Sequence, residues 1–375
     1  MRSIELGSIS GASRLLTSLS RPLWDALKLK LWNEKMTSTT SIIEPSFDLS
    51  ASGKHLGYLK LPHSVHRSAY GFIPIPIVSV KNGTGPTILL SSGVHGDEFE
   101  GQIALTKLIK EIEPAQVNGQ VIILTMTNFP AAKAGLRTSP IDDLNLNREF
   151  PGDPHGTPTS QIAHFVETVL MSMADYSLDI HSGGTSLHYL PTILYRAGKV
   201  GDEQADKCKE LVTTFGAPYA IAMPSGGNKG IRTTMAAAER QNAIGIGGEF
   251  GGSGSVSSES LQICELGIRR LLHHLKIWSR ITLPPASEPE ETVYLNSNSE
   301  NLLVYADQAG LFEPAVQLGD MVVTNQIAGY LHHPDTPWLK PEEVRFKTDG
   351  LVLAKRIPSL SERGDCLFHL GNFDR

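Results

Sequence analysis

His95 and Glu98 stand three residues apart in Gly93-Val94-His95-Gly96-Asp97-Glu98, where an apolar run gives way to a predicted helix. That spacing puts an imidazole and a carboxylate about one turn apart, within reach of a single ion. His181, in Asp179-Ile180-His181-Ser182-Gly183-Gly184, is the expected third donor. Two histidines and one glutamate leave a fourth position open for water. This is the catalytic rather than the structural arrangement of zinc, which lowers the pKa of such a water and polarises a carbonyl. A lone H-x-x-E is usually a surface pair; the glycine-rich setting and the second histidine motif set this one apart. The remaining histidines lack such company and are expected in packing or at the surface. Glu249, in Gly247-Gly248-Glu249-Phe250-Gly251-Gly252, ends an apolar strand run. A carboxylate there is costly unless paired or close to a cation. Beside an activated water it suits a general base that later returns the proton to the leaving amine. Arg137 and Arg148 lie in a long loop after another strand run, and arginine suits both carboxylate recognition and stabilisation of an oxyanion.

The elements that must position these groups alternate. Strand runs are expected at 57–61, 71–80, 87–91, 120–127, 177–180, 192–195, 218–223 and 244–248. Helices are expected near 103–112, 160–174 (with Ser160 as N-cap), 202–215, 232–242 and 257–278. Buried strands alternating with amphipathic helices predict an α/β sheet covered on both faces. His95, Asn128, His181 and Glu249 each fall at or just beyond the C-terminal end of a strand run, where open α/β sheets bind their ligands.

Of the 375 residues, 40% are hydrophobic and 19% charged, an ordinary globular composition. The net charge of -6 gives no footprint for nucleic acid or an anionic membrane. No apolar run approaches the ~20 residues of a membrane span. Three scattered cysteines, Cys208, Cys264 and Cys366, form no C-x-x-C pair and fit a reducing, cytoplasmic compartment. Residues 1–35 carry six basic residues among Ser and Leu and are expected to be an extension to the catalytic domain at 36–283. A Pro- and Glu-rich linker at 284–291 precedes a β-rich domain at 292–375. In that last part Gly310-Leu311 then Gly319-Asp320 is echoed by Gly350-Leu351 then Gly364-Asp365. The echo predicts a small pseudo-symmetric, barrel-sandwich-like module serving as a structural cap.

The order H-x-x-E, N-R-x-F, D-x-H-S-G, G-x-E-x-G resembles the succinylglutamate desuccinylase/aspartoacylase family, related in fold to zinc carboxypeptidases. Further likeness lies in Gly57-Tyr58-Leu59-Lys60-Leu61-Pro62, Arg137-Thr138-Ser139-Pro140-Ile141-Asp142 and Gly310-Leu311-Phe312-Glu313-Pro314. It covers roughly residues 43–370. The resemblance implies a mixed sheet flanked by helices, and one zinc ion per subunit on His95, Glu98 and His181. It implies that Arg137 polarises the acyl carbonyl, that Asn147 and Arg148 hold the substrate α-carboxylate, and that Glu249 is the base. Asn145 stands where some relatives carry Asp, which leaves the loop near Arg148 less certain. The expected reaction is deacylation of a small N-acylated amino acid, foremost an N-acetylated diaminobutyrate, by a cytoplasmic homo-oligomer such as a dimer. Asp142, Asp143 and Glu313 are candidates by type for its side-chain ammonium. The alternatives are an acidic N-acyl amino acid, a carboxypeptidase acting on short peptides, or a non-enzymatic binding module. The complete ligand set argues against the last.

Overall fold

The computed structural model describes residues 41–197, 202–224, 231–278, 291–296 and 300–373. The expected extension at 1–35, and all of the linker but Glu291, lie outside these. Ile42–Arg375 form one compact unit, distinct from Met1–Ser41.

The catalytic part runs β1 (Glu44–Pro45), β2 (Gly53–Pro62), β3 (Phe72–Asn82), β4 (Thr87–Ser92), α1 (Glu100–Glu111), β5 (Gly119–Leu124), α2 (Phe129–Ala134), α3 (Pro158–Phe165), β6 (Tyr176–His181), β7 (Leu187–Ala197), α4 (Glu203–Phe215), β8 (Tyr219–Pro224), α5 (Thr234–Arg240), β9 (Ile244–Gly252) and α6 (Ser258–His274). These strands stand in the order β1-β2-β3-β5-β4-β6-β9-β7-β8. The central run β5-β4-β6-β9 is parallel, whereas β3 pairs β5 and β7 pairs β9 in the antiparallel sense. The sheet is therefore mixed. Alternating side chains feed two layers. Ile88, Leu90, Val121 and Ile123 pack with Leu105 and Leu108 of α1 and Leu271 of α6. Leu89, Ile122 and Leu124 turn the other way, onto Ile162 and Phe165 of α3. Both faces are covered, as the apolar strand runs require.

Helix α3 begins earlier than expected. Thr157 is its N-cap and Pro158 occupies the first turn, where the missing N–H of proline leaves no bond unmade. Ser160 is not the cap. Its hydroxyl accepts from the Asp153 N–H at 3.0 Å, tying down the preceding loop.

The chain then adds β10 (Val293–Asn296), β11 (Leu303–Tyr305), β12 (Gly310–Pro314), β13 (Met321–Val322), β14 (Ile327–His332), β15 (Glu342–Arg345), β16 (Gly350–Arg356), β17 (Leu360–Ser361) and β18 (Cys366–Phe373). Strands β10, β18, β16 and β13 continue the main sheet beyond β8, while β15-β14-β12-β17 form a second sheet. Phe312, Leu331, Phe346 and Phe368 fill the core of this part. The main sheet is thus continuous from the catalytic part into this one: β10 pairs β8, and β16 pairs β7. The echo in the sequence is a repeated turn. Gly319 and Gly364 both have positive φ, at 85° and 92°. In each repeat the following aspartate accepts from a backbone N–H three residues back: Asp320 from Gln317 and Asp365 from Glu362, both at 2.8 Å.

A candidate metal-dependent hydrolytic site

His95 and Glu98 lie in the turn between β4 and α1, not on the helix, which starts only at Glu100. Two glycines make that turn possible. Gly93 has φ 64°, and a Cβ on Gly96 would land on the backbone carbonyl of Ala131. The turn is pinned from outside by Asp97, whose carboxylate accepts from both the N–H and the hydroxyl of Thr185, at 2.8 and 2.9 Å. His181 is the last residue of β6, and Glu249 is in register beside it on β9. Glu249 therefore sits inside its strand rather than beyond it, because β9 continues to Gly252 by pairing with the start of β7.

The three expected ligands converge. Glu98 is buried between the two rings, with Oε1 2.7 Å from His95 Nδ1 and Oε2 2.8 Å from His181 Nδ1. The His95, Glu98 and His181 donor atoms all lie within 4.8 Å of one another, the one such group among the described residues. The outer nitrogens are held as well. His95 Nε2 meets Asn145 Oδ1 at 3.0 Å, and that same oxygen accepts from the Asn147 N–H at 2.9 Å. An atom that accepts from a backbone N–H must be the amide oxygen, so His95 carries its proton on Nε2. Burial lowers the His95 pKa, with Glu98 opposing. With the proton on Nε2, the Nδ1 lone pair faces a carboxylate oxygen at 2.7 Å. Two lone pairs at that distance repel, and a cation between them reverses the sign. At His181, burial opposes protonation, but Asp179 and Glu98 outweigh it and raise its pKa well above the ordinary value. Asp179 Oδ2 lies 2.6 Å from His181 Nε2, the carboxylate–histidine pairing that orients a metal ligand. The donor set therefore fits a zinc ion.

Around this cluster stand the other expected residues. Glu249 Oε2 is buried and has no hydrogen-bond partner. Burial and the neighbouring Glu98 push its carboxyl up to about 8, with His181 and Arg137 pulling the other way. Arg137 reaches in from the loop, its guanidinium 3.3 Å from Glu98 Oε1. The Arg148 head group donates to the Asn147 carbonyl at 2.7 Å. Burial depresses the Arg148 pKa, as does like charge from Arg137, with Glu249 opposing. Asn147 gives its oxygen to the Thr234 N–H at the start of α5, at 2.9 Å. Asp142 braces the start of α3: its two oxygens accept from the Thr159 N–H and hydroxyl, at 2.8 and 2.7 Å. Glu313 pairs with His332 in the second sheet.

The catalytic-domain model of the succinylglutamate desuccinylase/aspartoacylase family matches residues 84–275. The N-alpha-acetyl-L-2,4-diaminobutyric acid deacetylase of Halomonas elongata is 41% identical over 330 residues, 87% of this chain and 94% of its own. The chain belongs to the succinylglutamate desuccinylase/aspartoacylase family. Among solved structures, the product-bound ectoine utilization protein EutE of Ruegeria pomeroyi is 35% identical with a TM-score of 0.84, over 89% of this chain and 99% of its own. A succinylglutamate desuccinylase/aspartoacylase from Rhodobacter sphaeroides is 33% identical with a TM-score of 0.82, over 89% and 100%. As a member of this family the chain is an amidohydrolase.

Within the family frame, two supporting acids escaped the reading of the sequence. Asp97 and Asp179 stand inside the histidine motifs, and both hold site residues from outside. For Asp179 the signal was available: residues i and i+2 of a strand share a face, so Asp179 must lie on the side of His181. It also accepts from Ser91 Oγ at 2.9 Å and from the Thr234 hydroxyl. Asn145 is explained too. Its two bonds both use an acceptor oxygen, which an amide supplies as well as a carboxylate does. Asn145→Asp should therefore keep the metal, whereas Asn145→Ala should weaken its binding about 10- to 100-fold, the usual cost of losing an outer partner. Competition with a chelator measures this. Equal metal affinity in Asn145→Ala would remove Asn145 from the site.

Proposed function

We propose that the chain hydrolyses N-alpha-acetyl-L-2,4-diaminobutyrate to acetate and L-2,4-diaminobutyrate, with zinc held by His95, Glu98 and His181. The observation that carries the metal is the convergence of His95, Glu98 and His181, whose donor atoms all lie within 4.8 Å of one another. What supports the substrate is the 41% identity to the Halomonas deacetylase. Zinc at these residues would lower the pKa of a water and polarise the acyl carbonyl.

The chain's own groups supply the rest. Asn147 and Arg148 hold the α-carboxylate and place the amide over the cluster. Glu249, with one buried oxygen unpartnered, takes a proton from the attacking water as its oxygen adds to the acyl carbon. Arg137 faces the charge that develops on the carbonyl oxygen. The C–N bond then breaks as Glu249 delivers the proton to the amine nitrogen, giving acetate and the free amino acid. The scattered cysteines support a cytoplasmic setting, and no helix among the described residues is long and apolar enough to cross a membrane.

Product analysis of the zinc-loaded protein tests this reading against acetyl-diaminobutyrate, acetylaspartate, succinylglutamate and a dipeptide. Acetyl-diaminobutyrate should exceed acetylaspartate by at least about 10-fold in kcat/KM, the ratio one misplaced charge readily gives. A better rate with acetylaspartate would overturn the substrate and leave family and chemistry standing.

A further inference from the structure

Tyr189, Ala354 and His369 stand in one row across three neighbouring strands. Tyr189 on β7 pairs Ala354 on β16, and Ala354 pairs His369 on β18. On its other side Tyr189 pairs Gly251, two residues beyond Glu249. Strands lie about 4.8 Å apart, so a phenol and an imidazole two strands apart start roughly 10 Å from each other. They meet because the residue between them carries only a methyl group. The Tyr189 hydroxyl lies 3.1 Å from His369 Nδ1, and the rings pack edge to face with centroids 5.9 Å apart. Burial pushes the His369 imidazole down to about 4, which keeps it a neutral partner. Asn147, the neighbour of Arg148, lies 3.5 Å from His181 Nε2 on β6, whereas Tyr189 stands on β7, and β9 with Glu249 runs between those two strands. Tyr189 and the Asn147–Arg148 turn thus flank the reacting groups. An N-acyl amino acid whose α-carboxylate meets Arg148, and whose amide lies over the cluster, must direct its acyl chain away from Arg148.

We propose that Tyr189, anchored by His369 across Ala354, is the end wall of the acyl pocket and restricts the enzyme to short acyl chains. This rests on the deacylase reading above and deepens it. Tyr189 determines acyl size, and His369 is a positioning residue that acts through it. The last strand of the chain thereby takes part in substrate choice.

The test is an acyl series, acetyl, butanoyl and succinyl, on two amino-acid cores, diaminobutyrate and aspartate. Tyr189→Ala should raise the butanoyl-to-acetyl ratio of kcat/KM by at least about 10-fold, the lower end of what a methylene or two decides in a closed pocket. His369→Ala should shift the ratio the same way by a smaller factor. His369→Asn, whose amide oxygen can stand in for Nδ1, should restore it. Calorimetric Kd values for the same series in a Glu249→Gln background should follow the same order, reading the pocket without turnover. A folded Tyr189→Ala protein with the wild-type acyl ratio on both cores would overturn the proposal. If that variant does not fold, an unchanged ratio in His369→Ala does so instead. A preference for the aspartate core would count against the proposed substrate alone, because the acyl ratio is read within each core.

Discussion

Glu249→Gln lowers kcat by at least about 10²-fold, the usual worth of a general base, and leaves the bound metal in place. The amide keeps the size and polarity of the carboxyl but cannot take a proton from water. Glu249 is no member of the His95, Glu98 and His181 cluster, so metal content should not respond. The split between the two readouts is the point. Steady-state kinetics beside metal analysis of the same preparation decides it, and turnover within a few-fold of the parent would require another base. The substitution should also be tolerated by the fold. Burial and Glu98 already push this carboxyl up to about 8, so exchanging it for a neutral amide removes a group whose charged form the site disfavours.

His181→Ala should abolish stoichiometric zinc and activity together, and should cost stability as well. The ring stands between two buried carboxylates, 2.8 Å from Glu98 and 2.6 Å from Asp179. Without it Glu98 and Asp179 each lose a buried hydrogen-bond partner, a change that ordinarily costs about 3–5 kcal/mol in a buried pair. His95→Ala should lose zinc equally but destabilise less, since the outer partner of that ring is the neutral Asn145. Metal analysis with denaturant titration of the two variants separates these effects. Full zinc occupancy in either variant would sink the ligand assignment, and equal midpoints would sink the account of Asp179.

Much of this site could be read locally. His95, Glu98 and His181 were recognisable because each sits at a glycine-marked strand end, and those ends converge wherever parallel strands adjoin. The strands themselves were legible from apolar runs bounded by turn residues. What could not be read depends on pairing between distant segments. The start of β7, Leu187–Leu190, contains two polar rings and gives no strand signal of its own. It becomes a strand because it bonds to β9 on one side and, at His188 and Tyr189, to β16 on the other, more than 160 residues downstream. Misplacing Glu249 at the end of β9 has the same cause. His369, read as packing or surface, could not be brought to Tyr189 without the register of β16 and β18. Of the three acids that are candidates for the ammonium, Asp142 has a partner that no local signal announces: an acid between two turns is as good a partner for the start of a helix as for a ligand, and Thr159 bonds both its oxygens.

The site divides into parts of unequal replaceability. Glu249 belongs to a strand bonded to neighbours on both sides, β6 and β7, so its backbone cannot shift without moving the sheet. Asn147 and Arg148 ride on a single turn of 3-10 helix inside a long loop. Loops accept insertion and substitution far more readily than interior strands. A lineage built this way can exchange the amino acid it recognises by rewriting the loop while the hydrolytic apparatus stays untouched. The engineer who wants a new substrate should diversify the turn at Leu146–Arg148, spare Arg137 and Asn145, and leave β9 alone.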